Sequence, residues 1–414
     1  MILVYLLAVN KLDVIINNQN IIPDKIFISD GIRYENTILG EKSNLKRDFI
    51  IASTPTSREF IIKSNNDIII SDEYKLKIYN SEGKPLKTVG GKGQGPGEFE
   101  EKPKIAIGVD DYLIGYSSKS GRSTWNLFDK NYKFITKKRG PNEKLLDEYL
   151  NSKKMNKKYK DIIFSGIINR FPLNEKDLIY SLEMTDIKNP VKYISIVKEM
   201  GNHSEEIMFS EDPRYIIFQN GMYEISSNTG RFKFTVTNNY IIYYNSLDEE
   251  LIDNKEYEIL YTIHIVEMSN KNSSILKQKI YTSKLNIDVE KKVKQLRQKR
   301  SQKDIETEKE FYKKKVFYSP LIDIYVDNNY LFLFFEKRDV KLKYEDPNKG
   351  YFADIFDLQK NQYISTIEMP KEFSSLSDIL KIYIQNKYLY FSTSDKDGYP
   401  EIRKYKIDSS VYGR

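Results

Sequence analysis

Residues Asn65–Asp72 read NNDIIISD: two small polar residues that suit a tight turn, then a short β-branched run that suits a strand. The same signature recurs as VDDYLIGY at Val109–Tyr116, EKDLIYSL at Glu175–Leu182, NNYIIYYN at Asn238–Asn245, NNYLFLFF at Asn328–Phe335 and QNKYLYFS at Gln385–Ser392. β-Type runs precede five of the copies, at Glu59–Lys63, Lys104–Gly108, Phe232–Thr237, Leu321–Val326 and Ile379–Ile384. Two runs joined by so short a polar turn read as a hairpin.

Working outward, a third run follows each copy: Leu76–Asn80, Thr124–Asp129, Lys192–Val197, Ile259–Glu267, Tyr351–Asp357 and Glu401–Asp408. A fourth is visible at Leu86–Val89, Phe134–Lys137, Ser274–Tyr281 and Tyr363–Glu368. Six units of about four antiparallel strands predict an all-β six-bladed β-propeller, in which radial repetition limits exposed sheet edges. Two stacked β-sandwiches would use the same strands. The copies stand about 45 to 90 residues apart, so a propeller requires insertions. The last unit runs out after its third strand, and the spare strand material is N-terminal: Lys25–Ser29, Tyr34–Leu39 and Phe49–Ser53. One of these is expected to pair with Glu401–Asp408 and close the ring.

The first unit carries a more specific signal. Asp67–Phe99 reads DIIISDEYKLKIYNSEGKPLKTVGGKGQGPGEF. It resembles the NHL-type repeat of six-bladed propellers at Asp72, Tyr79, Asn80, Gly83, Gly90, Gly93 and the Gly95–Phe99 segment GPGEF. It is similar in particular to a bacterial group of six-bladed propellers that carry GPGEF once, in the first full blade. That resemblance implies a binding or scaffolding role without known catalytic residues, and an exported, extracytoplasmic protein. Other six-bladed relatives are metal-dependent hydrolases or lyases acting at the central channel, which is the alternative reading.

Composition narrows the chemistry. The chain has 414 residues, 66 Lys and Arg against 59 Asp and Glu, no Cys and two His. The missing thiols exclude disulfides, thiolate metal sites and Cys nucleophiles. His203 lies in a polar loop and His264 in an alternating strand, which leaves no His cluster for a triad. The Gly90–Gly97 stretch lacks the Gly-Lys-Ser/Thr ending of a phosphate loop, and Pro96 withholds an amide. Its glycines instead suit a blade-to-blade crossing, with Phe99 plugging between blades and Glu98 capping locally. No catalytic residue and no cofactor is assigned. The one ion that channel carboxylates would suit is Ca²⁺, with Asp72 as the first candidate.

With strands A to D counted from the axis, the short A–B and C–D turns share one face. The long connections leave from the other: Asn245–Glu258, Glu336–Gly350, Val89–Pro103, Lys138–Asp161, Gly201–Arg214 and Ser283–Pro320. Long loops on a rigid scaffold commonly carry function. That face is therefore the expected site for a protein, peptide or glycan partner, with Asp72, Tyr74, Lys92, Gln94, Arg122 and Trp125 as ligand-binding candidates. Trp125 beside Arg122 and Tyr116 reads either as core packing or as a stacking platform.

The domain reading is an apolar N-terminal segment at 1–20 and a propeller at 21–414, with a basic helical insertion at 286–315. Met1–Val9 reads either as a buried first strand or as a signal or anchor lacking its basic start, and no stretch is long enough to span a membrane. Positive charge is local: Lys137–Lys160 holds nine basic and three acidic residues, and Asn286–Lys315 eleven and six. Asn286–Lys315 lacks Gly and Pro and places Val289, Val293 and Leu296 on one stripe, so it reads as a helix. Its interleaved carboxylates would oppose phosphates, and nucleic acid is not an expected partner. Because this insertion lies outside the strand repeat, deleting Asn286–Lys315 and bridging the gap should leave the melting temperature nearly unchanged. A large drop in calorimetric Tm would place it in the core.

Overall fold

A strand whose side chains are all apolar can be stable only if both of its faces are covered. Tyr330–Glu336 shows how the sequence meets this condition. Leu331, Leu333 and Phe335 pack with Ile242, Ile259 and Tyr261 on one side, while the alternate Phe332 and Phe334 pack with Ile382, Phe391 and Tyr405 on the other. The same division operates at Ile68–Asp72: Ile68 and Ile70 join Tyr390 and Ile402, and Ile69 joins Leu113 and Phe128. Each buried side chain of this size contributes roughly 1.5–3 kcal/mol. The runs are continuously apolar because each sheet is sandwiched between two others.

A computed structural model of the chain describes residues 59–119, 122–139, 143–188, 191–212, 231–253, 258–281, 319–336, 350–370 and 382–413. It also describes 14–15, 26–28, 30–39, 49, 51, 215–217, 223–225, 306 and 372–373. Six sheets of four meandering antiparallel strands form the blades of a six-bladed β-propeller. Blade I is Glu59–Ile62, Ile68–Asp72, Lys75–Tyr79 and Pro85–Gly90. Blade II is Lys104–Ile107, Leu113–Lys119, Arg122–Phe128 and Phe134–Arg139. Blade III is Ile162–Pro172, Leu178–Asp186, Val191–Met200 and His203–Glu211. Blade IV is Phe232–Val236, Tyr240–Asn245, Glu258–Glu267 and Ser273–Tyr281. Blade V is Leu321–Asp327, Tyr330–Glu336, Tyr351–Asp357 and Gln362–Glu368.

Blade VI takes Ile382–Gln385, Tyr388–Ser394 and Pro400–Ile407 from the C-terminal end and its outer strand, Ile32–Leu39, from the N-terminal end. The pairing is antiparallel, with Ile32 opposite Ile407 and Leu39 opposite Ile402. The second of the three spare segments thus closes the ring. Just before it, Phe27–Ile28 adds a parallel fifth strand to blade V, and Val14–Ile15 adds one to blade IV. Ser409–Tyr412 ends the chain's last turn under blade V, where Ser365 Oγ donates to Val411 O at 2.8 Å.

The Gly-rich crossing from blade I to blade II is a packing device, as its sequence implies. Gly90 and Gly97 have φ of 91° and 76°, where a Cβ is strained. Phe99, 1% exposed, lies so close to Gly90 and Gly115 that a Cβ on either would stand 2.6 Å from its ring. Glu98 Oε2 accepts from Gly95 N at 2.8 Å, and Asn126 Nδ2 donates to Glu98 O at 2.9 Å, tying the segment to blade II.

The structure departs from the sequence reading in two places. Gly201–Arg214 is not a long connection: His203–Glu211 is the outer strand of blade III, and the crossing to blade IV follows it, carrying the hairpin Tyr215–Ile217 and Tyr223–Ile225. The basic Lys137–Lys160 connection contains a helix, α1 (Glu143–Lys154), which buries Leu145, Leu146, Tyr149 and Leu150. Leu146, Tyr149 and Leu150 pack with Leu182, Met184 and Tyr193, and Tyr149 Oη donates to Ser195 Oγ at 3.0 Å. The expected helix at 286–315 lies outside the described residues, apart from Glu306, and so does Met1–Val9.

Replacing Phe99 by Ala should cost about 3–5 kcal/mol, because two glycines have been kept bare around the ring and neither wall can close in. Equilibrium denaturation should show a lower midpoint at unchanged slope; a loss below about 1 kcal/mol would mean that the plug is not a core element.

Candidate functional site

The recurring polar turns that announce each blade all fall on one face. Type I′-like hairpin turns need residues that tolerate positive φ, which Asn and Asp do better than other non-glycine residues. Asn66, Asp110, Asp111, Asn328, Asn386 and Lys387 all adopt it, with φ between 51° and 67°. The A–B turns of blades V, VI, I and II are hydrogen-bonded in succession. The Asn386 and Lys387 N–H groups each donate to a different Asp327 carboxylate oxygen at 2.7 Å, joining blade VI to blade V. Asn386 Nδ2 donates to Ser64 O and Asn66 Oδ1 at 2.7 and 2.9 Å, joining VI to I. Ser64 N and Oγ donate to Asp111 Oδ1 and Oδ2 at 3.1 and 2.5 Å, joining I to II.

Inside this collar lies a cavity of about 1100 Å³ on the axis, lined by inner-strand residues of all six blades. Its wall carries apolar and aromatic side chains, Ile61, Ile105, Ile107, Phe171, Phe234, Ile324, Tyr325 and Tyr383, beside the polar Asn169, Arg170 and Thr235. Phe171 meets Phe234 edge-on at 5.1 Å, and Tyr325 meets Tyr383 at 6.2 Å. The mouth is ringed by carboxamides, among them Asn131, Asn238, Asn239, Asn328, Asn329 and Gln385, with Asp110 and Glu175 exposed at its edge. Such a lining offers hydrogen-bond donors and acceptors outside and hydrophobic surface within, as ligand pockets commonly do.

Two ionisable groups sit deeper. The Arg170 guanidinium lies 5.0 Å over the Tyr116 ring, and burial pulls its pKa down to about 10, partly offset by the Tyr116 phenol. Burial, and then the Glu59 carboxylate, push Tyr116 up to about 12. Burial also raises Glu59 itself, although its Oε2 accepts from Ile105 N at 3.1 Å.

The residues singled out in the sequence lie elsewhere. Asp72, fully buried on the second strand of blade I, is ion-paired with Lys77 Nζ at 2.6 Å and is not part of the channel wall. On the long-connection face Lys92 Nζ lies 5.2 Å over the Tyr74 ring, and Gln94 O accepts from Lys137 Nζ at 2.8 Å. Trp125 is buried in the core between blades II and III, with Lys138 Nζ 5.2 Å over its ring. Arg122 opens a strand of blade II, and its side chain lies outside the described residues. The structure therefore brings Tyr74 and Lys92 together and leaves Asp72 and Trp125 within the packing. His264 Nε2 contacts Asp248 Oδ2 at 3.0 Å and stacks on Tyr243. Among the described residues no three His, Asp or Glu side chains gather as a metal-ion site, and no helix is long and apolar enough to cross a membrane. The sequence signals the collar only through Asn and Asp pairs suited to turns, and it carries no signal that places Arg170.

No family model matches the chain, and no curated protein does. A chain in the crystal structure of a mitotic checkpoint complex is 8% identical, with 90% of this chain and 95% of that one covered at a TM-score of 0.34. The AfRom2 CNH domain is 11% identical over 93% and 98%, at 0.32. The tricorn protease is 9% identical over 87% of this chain and 35% of its own length, at 0.36. Likenesses this distant carry no argument about activity.

The collar makes the protein pH-sensitive in a defined direction. Burial raises Asp327 above its usual 3.8, outweighing the Lys387 and Asn386 amides that lower it. Between 3.8 and that raised value the folded state holds a proton that the unfolded chain has released, so stability falls as pH rises through this window. Relative to an Asp327→Asn variant, the wild-type denaturation midpoint should drop from pH 4 upward and then level off. A pH-independent difference would show that folding leaves the Asp327 pKa unchanged, and a rising one that the folded state favours the carboxylate.

Proposed function

We propose that the protein is a non-catalytic binding propeller that recognises a peptide or glycan partner at the mouth of its axial channel, on the short-turn face. The observation that carries this reading is the channel itself: an open cavity lined from all six blades, with aromatic side chains on much of its wall and carboxamides beside a few charged residues at its mouth. Neutral amides match peptide groups and sugar hydroxyls, and the aromatic rings supply flat apolar contact. Of the long-connection face proposed from sequence, Asp72 and Trp125 are engaged in the core, which leaves Tyr74, Lys92 and Gln94 as its surface candidates. The GPGEF crossing supports kinship with NHL-type propellers, and a binding role agrees with that kinship.

Peptide and glycan arrays, probed with wild type and two pairs of variants, separate the faces. Asn131→Trp and Asn238→Trp should obstruct the mouth and weaken capture by at least about tenfold. Tyr74→Ala and Lys92→Glu should change it by less than about twofold. The reverse order would move the site to the long-connection face, and capture of neither ligand class would remove the proposal.

A further inference from the structure

We infer that the channel receives the free C-terminus of a peptide with apolar last residues, its carboxylate facing Arg170. This rests on the reading of the channel mouth as the binding site and narrows the class of ligand. Five blades bring only uncharged inner-strand side chains to the wall, among the described residues; blade III brings Arg170. The side chain is 2% exposed.

Its place is the result of a local irregularity. Along Ile162–Pro172 the register against the next strand slips between Ile167, opposite Leu182, and Arg170, opposite Tyr180. Asn169 N donates to Ser181 Oγ at 3.2 Å within that slip. Strict alternation would send neighbouring side chains to opposite faces, whereas here Asn169, Arg170 and Phe171 all contribute to the cavity lining. Bulges of this kind re-aim side chains next to functional sites.

The surroundings select among anions. A planar guanidinium can offer a carboxylate two parallel hydrogen bonds. Phe171, Phe234 and Ile107 line the same cavity and suit the apolar side chain of a terminal residue. Arg170 stands two residues from the end of its strand, so a carboxylate there leaves the preceding peptide groups at the depth of the Asn and Gln rim. Farther out, Asp110 and Glu175 are exposed and favour Lys or Arg upstream in the peptide. Asp111 and Asp129 are already held by Ser64 and by the Asn131 and Lys133 amides of their own turn. An apolar wall, one recessed cation and an amide rim together match a peptide end better than a sugar.

The test is an array of decapeptides tethered through their N-termini, with free C-terminal carboxylates, beside the same array amidated. Wild-type protein should retain free acids ending in Leu, Ile or Phe, with at least about tenfold weaker retention of the amides. Arg170→Gln should abolish that discrimination, and Arg170→Lys should restore part of it. Should Arg170→Gln fail to fold, Thr235→Glu on the adjoining wall should depress the acids and spare the amides. Equal retention of acids and amides, or discrimination that survives Arg170→Gln in a protein of unchanged melting temperature, overturns the inference. Capture of glycans alone, lost with Asn238→Trp, also overturns it while leaving the channel mouth as the binding site.

Discussion

Every blade depends on having a neighbour on each side. The second strands of the sheets expose large apolar residues in both directions, Leu331, Leu333 and Phe335 one way and Phe332 and Phe334 the other, so an isolated blade would present two hydrophobic faces to water. A row of such sheets has no satisfactory end; a ring has none to satisfy. The constraint therefore falls on one junction, the antiparallel pairing of Ile32–Leu39 with Pro400–Ile407, which completes the blade that has to close the circle. The remaining seams use the same principle with local solutions, Phe99 between blades I and II being the clearest.

Closure also explains the collar. Tight turns on inner strands bring short polar segments toward one axis, where those of blades V, VI, I and II bond to one another across blades while others, as at Asn174 and Thr237, bond within the turn. Asp327 is the costly member: burial disfavours the ionised carboxylate that accepts the Asn386 and Lys387 amides. The arrangement fixes the mouth of the channel while leaving its centre open. A rigid rim around an apolar shaft is a preorganised surface, and preorganisation lowers the entropy lost when a ligand is ordered there.

Sequence reading recovered what repeats and lost what does not. The turn-plus-strand signature located the second strand of every blade, because both faces of that strand are covered and its hydrophobicity is continuous. His203–Glu211 escaped because an outer strand faces solvent: only Ile207, Met208 and Phe209 stand out among its polar residues. Helix α1 was hidden by the lysines around it, although Leu145, Leu146, Tyr149 and Leu150 fall on one helical face. The Asn and Asp pairs were legible as turns but not as a ring, since convergence on an axis belongs to the assembled blades. Arg170 could not have been placed at all, because its direction is set by a register slip that no periodicity encodes.

The N-terminal belt has a consequence for how the chain is made. Val14–Ile15, Phe27–Ile28 and Ile32–Leu39 attach in turn to blades IV, V and VI, so these segments find their partners only among residues synthesised much later. Blades I to III can form from consecutive chain as synthesis proceeds, while the leading segment waits. Leu39 meets Ile402 only once the inner strands of all six blades have been translated, a pairing of very long sequence separation that is slow by topology. During that interval the nascent chain carries an unpaired strand at one end and an unfinished sheet at the other, a state that would draw on holding chaperones.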